Sequence, residues 1–188
     1  AESTEDSAVA FRQRVAYPRP VELRLLNSPL WLARMAGIAA MRFPTTQAFE
    51  QGKWLALAGT QGSDRWLWKP VEHAGGIDIS FAGEDRPARE GFYLQNWLRG
   101  KSLGANFIAF RTSAGVKARL LGVFGGLTHR RHSVQRFVYG GSYGPLALPA
   151  RTLESLRALG QAIAEELPMV GLFNIDAIEE RDGRLALL

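Results

Sequence analysis

The chain has no cysteine, which removes disulfides, thiolate metal centres and cysteine nucleophiles together and leaves the redox compartment open. No apolar run approaches the roughly 20 residues that a bilayer-spanning helix requires. Residues 1–10 are acidic and small, without the basic start and apolar stretch of a secretory signal. A soluble, cytoplasmic protein with no membrane partner is therefore the expectation. No Gly-Lys-Ser/Thr phrase opens a helix, so a Walker loop is excluded. Internal repeats, heptads and low-complexity tracts are also missing. Of the three histidines, His129 and His132 lie close together, but with no third ligand nearby they do not make a zinc site.

What is present suits a folded, anion-binding protein. With 188 residues, 46% of them hydrophobic, the chain can bury a sizeable core. A formal net charge of +5 is modest and dispersed along the sequence. It fits a nucleotide, phosphate or acidic metabolite as well as a nucleic acid.

Along the chain, Tyr17-Pro18-Arg19-Pro20 blocks helix. Leu30, Trp31, Ala33, Met35, Ala36 and Ile38 then give a short helix, stopped at Gly37 to Ile38, with a turn toward Arg42-Phe43-Pro44-Thr45-Thr46. Strand-like runs follow at Trp54–Ala58 and Trp66–Lys69, with loops at Gly59–Asp64 and Gly83–Glu90. Further strands are expected at Phe92–Leu98, Ala105–Arg111, Lys117–Thr128 with a bulge or bend at Gly125-Gly126, and Phe137–Tyr139. A helix from Thr152 to about Leu167 places Leu153, Leu156, Leu159, Ile163 and Leu167 on one face, with Glu154 near its N-terminus. The last elements are a strand at Gly171–Ile178 and a hairpin turn at Arg181–Arg184 leading into Leu185–Leu188. Hairpins mixed with a few helices predict an α+β fold of mostly antiparallel sheets, because a doubly wound sheet would alternate strand and helix more regularly.

The most informative stretch is Trp66-Leu67-Trp68-Lys69-Pro70, followed by His73-Ala74-Gly75-Gly76-Ile77. An apolar strand delivers one lysine to a proline stop, and a glycine pair lets main-chain N–H groups approach an anion without Cβ interference. Taken alone, the same residues also describe a solvated strand end and an ordinary turn.

In order, these segments resemble the ATP-grasp superfamily of ATP-dependent carboxylate–amine ligases. The resemblance spans Asn27 to Leu188 and rests on five landmarks. Leu26–Pro29 through Phe43-Pro44-Thr45 resembles the opening helix and its closing phrase. Trp68-Lys69-Pro70 resembles the phosphate-binding lysine strand, and His73–Ile77 the glycine-rich loop that closes over phosphates. Leu94–Gly100 resembles the hinge strand whose backbone recognises adenine, and Gly171–Asp176 the strand carrying a magnesium-binding aspartate.

The resemblance implies two lobes sandwiching the nucleotide: a small lobe at 27–93 and a large lobe at 94–188, after a lead-in or N-terminal-domain remnant at 1–26. It implies ATP and Mg2+ as cofactors and small-molecule carboxylate and amine substrates, joined through an acyl phosphate by positioning and charge neutralisation. On it, Lys69, His73, Gly75 and Gly76 hold phosphates, Gln95 approaches the adenine amino edge, and Trp97 and Leu98 offer backbone groups. Asp176 binds magnesium; Asn174 shares its face by the strand's period of two and touches a phosphate or the substrate. A carboxylate in an otherwise apolar strand is costly unless paired or metal-bound, the alternative being a solvated strand end. Within the basic run His129–Arg136, Arg136 is the candidate for binding a carboxylate or the transferred phosphoryl group, against a solvated loop.

Three departures stand out. Ser102 occupies the place where related ligases carry an acidic ribose contact. No second nucleotide-binding lysine stands near Ser28 and Pro29. The sequence stops at Ala186-Leu187-Leu188, where such ligases continue into a Glu-x-Asn segment that completes the metal site, so the chain reads as part of a longer ligase, with the part alone inactive. Small-metabolite ligases such as the tyramine–glutamate group are the nearest kind. Two rivals remain open: a nucleotide-binding module without ligase activity, and a basic nucleic-acid binder using five tryptophans. Trp31, Trp54, Trp66, Trp68 and Trp97 lie mostly in core-like runs, which counts against the latter. A homo-oligomer is left open.

Overall fold

The computed structural model describes residues 25–83, 90–128, 136–167 and 169–188. In chain order the elements are α1 (Pro29–Ile38), β1 (Thr46–Glu50), β2 (Lys53–Leu57), β3 (Trp66–Pro70), β4 (Ser80–Phe81), β5 (Phe92–Asn96), β6 (Gly100–Thr112), β7 (Gly115–Thr128), β8 (Tyr139–Tyr143), α2 (Ala150–Glu166), β9 (Gly171–Glu180) and β10 (Leu185–Leu187). They form two five-stranded antiparallel sheets, ordered β2-β1-β5-β3-β4 and β10-β9-β6-β7-β8. The α+β expectation holds.

The main core lies under the second sheet. Strand alternation turns Leu103, Ala105, Phe107 and Ala109 of β6 to one buried face. Both helices cover it, through Trp31, Met35 and Ala36 of α1 and Leu156, Leu159 and Ile163 of α2. Helix α2 comes close to the sheet at Gly160, where an added Cβ would fall 2.3 Å from the Phe107 ring. That ring is itself stacked on Phe173 with centroids 5.0 Å apart. A mid-helix glycine costs about 1 kcal/mol in propensity against alanine, so its presence here reflects the space that Phe107 occupies.

The chain passes between the sheets at two neighbouring places. Leaving α1, Arg42 is stitched to β10 by its N–H to the Leu185 carbonyl at 3.1 Å and by its carbonyl accepting from Leu187 N–H at 2.9 Å. Its guanidinium donates to Glu180 at 2.6 Å. Phe43 to Thr46 then carries the chain into the first sheet, and Asn96 to Gly100 carries it back. The two crossings touch, because Asn96 N–H donates to the Thr45 carbonyl at 2.8 Å.

Several elements differ from expectation. The expected lobe boundary at residues 93/94 falls inside β5, which lies wholly in the first sheet. Helix α1 packs with the second sheet's core, although it precedes the first sheet in sequence. It ends at Ile38, within the expected Gly37 to Ile38 stop, and the chain turns at Ala40, whose φ is positive, 51°. Strand β1 was not expected, its first residue Thr46 ending the expected turn; β6 begins at Gly100, and β8 runs over Tyr139–Tyr143. Helix α2 starts at Ala150, so Glu154 lies past its first turn. The pairing of β6 with β7 slips between Asn106 and Phe107, leaving Leu121 as the extra residue, and that of β7 with β8 slips between Leu127 and Thr128, leaving Gly140. Gly125 and Gly126 stay in register with Tyr143 and Ser142. Gly125 is small because the Tyr143 ring lies over it, 2.3 Å from where a Cβ would be.

Gly160→Ala should lower stability by roughly 1–3 kcal/mol, the usual cost of overpacking, despite alanine's better helix propensity; an unchanged or higher denaturation midpoint would overturn this. A second expectation concerns acid. Arg34 of α1 pairs with Glu166 at the end of α2 and holds that carboxyl below its ordinary value. Asp182 is also lowered, first by the Arg184 backbone N–H and then by the charges of Arg184 and Arg42. Carboxyls with depressed folded values contribute stability above the ordinary range, about pH 4, and lose it as pH falls through the lowered values. The melting temperature should therefore drop less steeply below about pH 4 in Arg34→Met than in the parent; equal slopes would show that the pair contributes nothing.

Candidate functional site

Strand β3 pairs antiparallel with β5, Leu67 opposite Gln95 and Lys69 opposite Tyr93. Thr46 of β1 stands opposite Gln95 on the other side. Alternation therefore puts Thr46, Gln95, Tyr93, Leu67 and Lys69 on one face. There the Lys69 ammonium donates to Gln95 Oε1 at 3.0 Å. Gln95 Nε2 donates to Thr46 Oγ1 at 3.3 Å, and that hydroxyl donates to the Pro44 carbonyl at 2.8 Å. Gln95 is 2% exposed and Thr46 0%, so the chain of bonds is fixed by packing. Its members are neutral except the lysine, and no carboxylate pairs with Lys69 among the described residues. The strand thus presents a positioned, uncompensated cation.

Phe81, opposite Leu67 on the same face, shows what this face looks toward. Its ring meets Trp97 and Phe137, each with centroids 5.4 Å away, and Phe137 leads into β8 of the second sheet. Beside it lies the glycine loop. Gly75 and Gly76 have φ of 69° and 76°. The Gly75 carbonyl accepts from Tyr139 N–H at 2.8 Å. A Cβ on Gly76 would sit 1.9 Å from the Phe137 carbonyl oxygen, so only glycine fits. The loop is docked across the gap onto the second sheet, with its Gly75 and Gly76 N–H groups unbonded among the described residues. His73 within it pairs with Asp78, Nδ1 to Oδ2 2.7 Å.

The segment after β5 is held from the opposite face. Asn96 is buried and binds four main-chain groups of residues 62–65: it accepts from Gly62 and Ser63 N–H at 2.7 and 3.3 Å and donates to the Ser63 and Arg65 carbonyls at 2.6 and 3.2 Å. Trp97 N–H donates to the Arg65 carbonyl at 2.9 Å, and its carbonyl accepts from Ser63 Oγ at 2.9 Å. Its backbone donor is therefore used within the chain, and among the expected hinge groups the Leu98 main chain is the one without a partner among the described residues. The Trp97 indole has the Arg65 and Arg99 guanidiniums at 5.1 and 5.4 Å. Gln95, expected at the adenine edge, spends its amide on Lys69 and Thr46.

On the second sheet, Asn174 and Asp176 alternate with buried Ile175 and Ala177 and project from the face away from the helices. Asn174 Nδ2 donates to Asp176 Oδ1 at 2.8 Å. The argument that a carboxylate in an apolar strand must be paired or metal-bound does not apply, because alternation leaves Asp176 in solvent. Opposite Asp176 stands Gly104, where a Cβ would come 3.2 Å from Asn174 Oδ1. Ser102 is two residues along, on the same face, with its Oγ 2.9 Å from a Cβ built at Gly126. The result is an open polar face with a glycine floor. Among the described residues no cluster of three or more His, Asp or Glu could hold a metal. Asp176 and Asn174 Oδ1 are nonetheless hard oxygen donors of the kind magnesium accepts when phosphates and waters complete its shell. Arg136 is exposed at the turn before Phe137; the rest of its basic run, 129–135, lies outside the described residues.

Thr46, Asn96 and the Tyr139 amide were missed by sequence reasoning. Thr46 and Asn96 had a signal, a polar residue at a strand position facing inward, but β1 was masked by its Pro-Thr-Thr start. The Tyr139 contact is main-chain and has none.

No family model matches the sequence, and no curated protein matches it. Solved structures do. A D-Ala:D-Ser ligase from Enterococcus faecalis is 12% identical with a TM-score of 0.60, over 87% of this chain and 51% of that one. A putative ATP-grasp superfamily protein from Archaeoglobus fulgidus is 13% identical with a TM-score of 0.56, over 96% and 50%. A D-alanine–D-alanine ligase from Bacillus anthracis, in complex with ATP, is 9% identical with a TM-score of 0.54, over 92% and 55%. The chain spans about half the length of these proteins, and it has the ATP-grasp fold.

Gly76→Ala should lift the loop off the second sheet. The Tyr139 amide should then exchange faster with deuterium and residues 71–79 should be cleaved sooner by protease, with the melting temperature little changed; unaltered exchange at Tyr139 would show that the contact at Gly76 does not hold the loop.

Proposed function

We propose that this chain forms the nucleotide-binding part of an ATP- and magnesium-dependent ligase that joins a carboxylate to an amine. The observation that carries it is Lys69: a cation on the inner face of one sheet, aimed by Gln95 and Thr46, unpaired with any described carboxylate, near a glycine loop whose Gly75 and Gly76 N–H groups have no partner among the described residues. That is an arrangement for a polyphosphate. It occurs on a fold whose solved examples include amide-forming ligases.

In this proposal Lys69 neutralises phosphate charge, and Gly75 and Gly76 bring main-chain N–H groups onto the same phosphates. Docking of the loop on Phe137 and Tyr139 excludes water. The Leu98 main chain faces the base, with Gln95 acting as the residue that positions Lys69. Asp176 and Asn174 would hold magnesium, which when bound neutralises the charge on the transferring phosphoryl group. The carboxylate oxygen of the first substrate attacks the γ-phosphorus and ADP leaves. The amine nitrogen of the second attacks the acyl carbon and inorganic phosphate leaves. Arg136 is proposed at the acceptor side. Among such ligases, the small-metabolite group that includes tyramine–glutamate ligases is the finer proposal.

Calorimetric titration of Mg-ATP tests the site. Lys69→Ala should abolish detectable binding, and Gln95→Leu, which removes the acceptor that aims the ammonium, should weaken it about tenfold, the worth of one hydrogen bond to a charged group. Asp176→Asn should weaken binding in magnesium and have little effect in EDTA. Binding unchanged by Lys69→Ala would overturn the site. ATP binding without phosphate release for any carboxylate and amine pair, in a protein carrying its full natural sequence, would favour a nucleotide-binding module instead.

A further inference from the structure

Strand β7 is covered on only part of its outer edge. Near one end the side chain of Gln161 from α2 imitates a neighbouring strand: its Oε1 accepts from Ala118 N–H at 2.9 Å and its Nε2 donates to the Val116 carbonyl at 3.0 Å. At the other end Leu146 N–H donates to the Val123 carbonyl at 2.7 Å, and β8 pairs from Gly125 onward. Between these caps, the alternation of an antiparallel strand turns the Ala118 carbonyl and both main-chain groups of Leu120 outward. No described residue pairs with them. Unpaired strand edges are templates for another strand.

The surroundings of this gap are chemically specific. A groove of about 720 Å3 runs along it, lined by Phe110, Ala118, Arg119, Leu120, Arg157, Ala158 and Gln161. Arg119 stands in register with Ile108, on the sheet face away from the helices, as does Phe110 two residues along β6. Leu120 is in register with buried Phe107, on the helix-covered face, where Arg157 and Ala158 of α2 also lie. Each side of the edge therefore offers one guanidinium beside an apolar surface. Neither arginine forms an ion pair with a described residue.

We propose that the open edge of β7 between Gln161 and Leu146 binds an extended acidic peptide segment of a partner protein by strand addition. Main-chain bonds to Ala118 and Leu120 would supply the pairing. An added strand sends successive side chains to opposite faces, so adjacent acidic residues would reach Arg119 and Arg157 separately. The same two cations repel a second copy of this edge, which selects a foreign strand over self-pairing. The surface is separate from Lys69 and Asp176, and the inference does not rest on the nucleotide site.

The test is fluorescence anisotropy with the intact chain and a labelled short peptide carrying two adjacent glutamates flanked by valines. Binding should weaken with added salt, and by about 2- to 5-fold for each of Arg119→Ala and Arg157→Ala, as expected for losing one exposed ion pair. It should be unaffected by Lys101→Ala, a basic site elsewhere on the sheet. A peptide of the same charge with prolines replacing the valines should bind much more weakly, since it loses the valine N–H donors that pair with the edge. No binding, or binding by both arginine variants as tight as the parent's, would overturn the proposal. Equal binding of the proline peptide, or tighter binding of an oligonucleotide, would show a charge-only surface and overturn it too.

Discussion

Two amides buried side by side on one strand set the terms for the rest of this molecule. Gln95 and Asn96 are neighbours in β5 and face opposite ways, so each must find partners on its own side of the sheet. Leaving such a group unsatisfied costs about 1–3 kcal/mol. Gln95 reaches Lys69 and Thr46, tying three strands together and aiming the ammonium. Asn96 ties down residues 62–65 and through them the Trp97 backbone. The aimed Lys69 ammonium and the fixed segment after β5 are thus outcomes of the same local requirement, at the centre of the first sheet, where β5 is flanked by β1 and β3.

Much of this was legible beforehand, and the lapses have physical reasons. Strands β3, β5, β7 and β9 and helix α2 carry apolar periodicity strong enough to read. Strand β1 does not, because Phe43-Pro44-Thr45-Thr46 looks like a turn and the burial of Thr46 comes from a cross-strand bond to a residue 49 positions away. A bulge or bend was sought at Gly125-Gly126, yet those two stay in register and the extra residues are Leu121 of β7 and Gly140 of β8, since a bulge needs an extra residue whatever its type. Asp176 was weighed as a buried charge because its neighbours are apolar; a two-residue period places neighbours on the other face, so the composition around a residue in a strand does not report that residue's own exposure. The lysine and the glycine pair were singled out from their types. What the glycines touch could not be read, since the contacts run to main-chain atoms of Phe137 and Tyr139.

Charge is arranged unevenly over the molecule. The pairs Arg34 with Glu166 and Arg42 with Glu180 tie elements of the second sheet and its helices to one another. Lys69, Arg119, Arg157 and Arg136 have no such partner among the described residues. Pairing geometry thus separates the cations that tie elements together from those without a described partner, in a way that a net total cannot.

The two chain crossings at Arg42–Thr46 and Asn96–Gly100 run against each other, joined by the bond from Asn96 to Thr45. A body attached at two adjacent points on one line has a single easy degree of freedom, rotation about that line, while twist and lateral slide are resisted. The sheets also meet away from that line, where Phe81 packs on Phe137 and the Gly75 carbonyl accepts from Tyr139 N–H, so those contacts at the loop oppose the rotation that the crossings leave open.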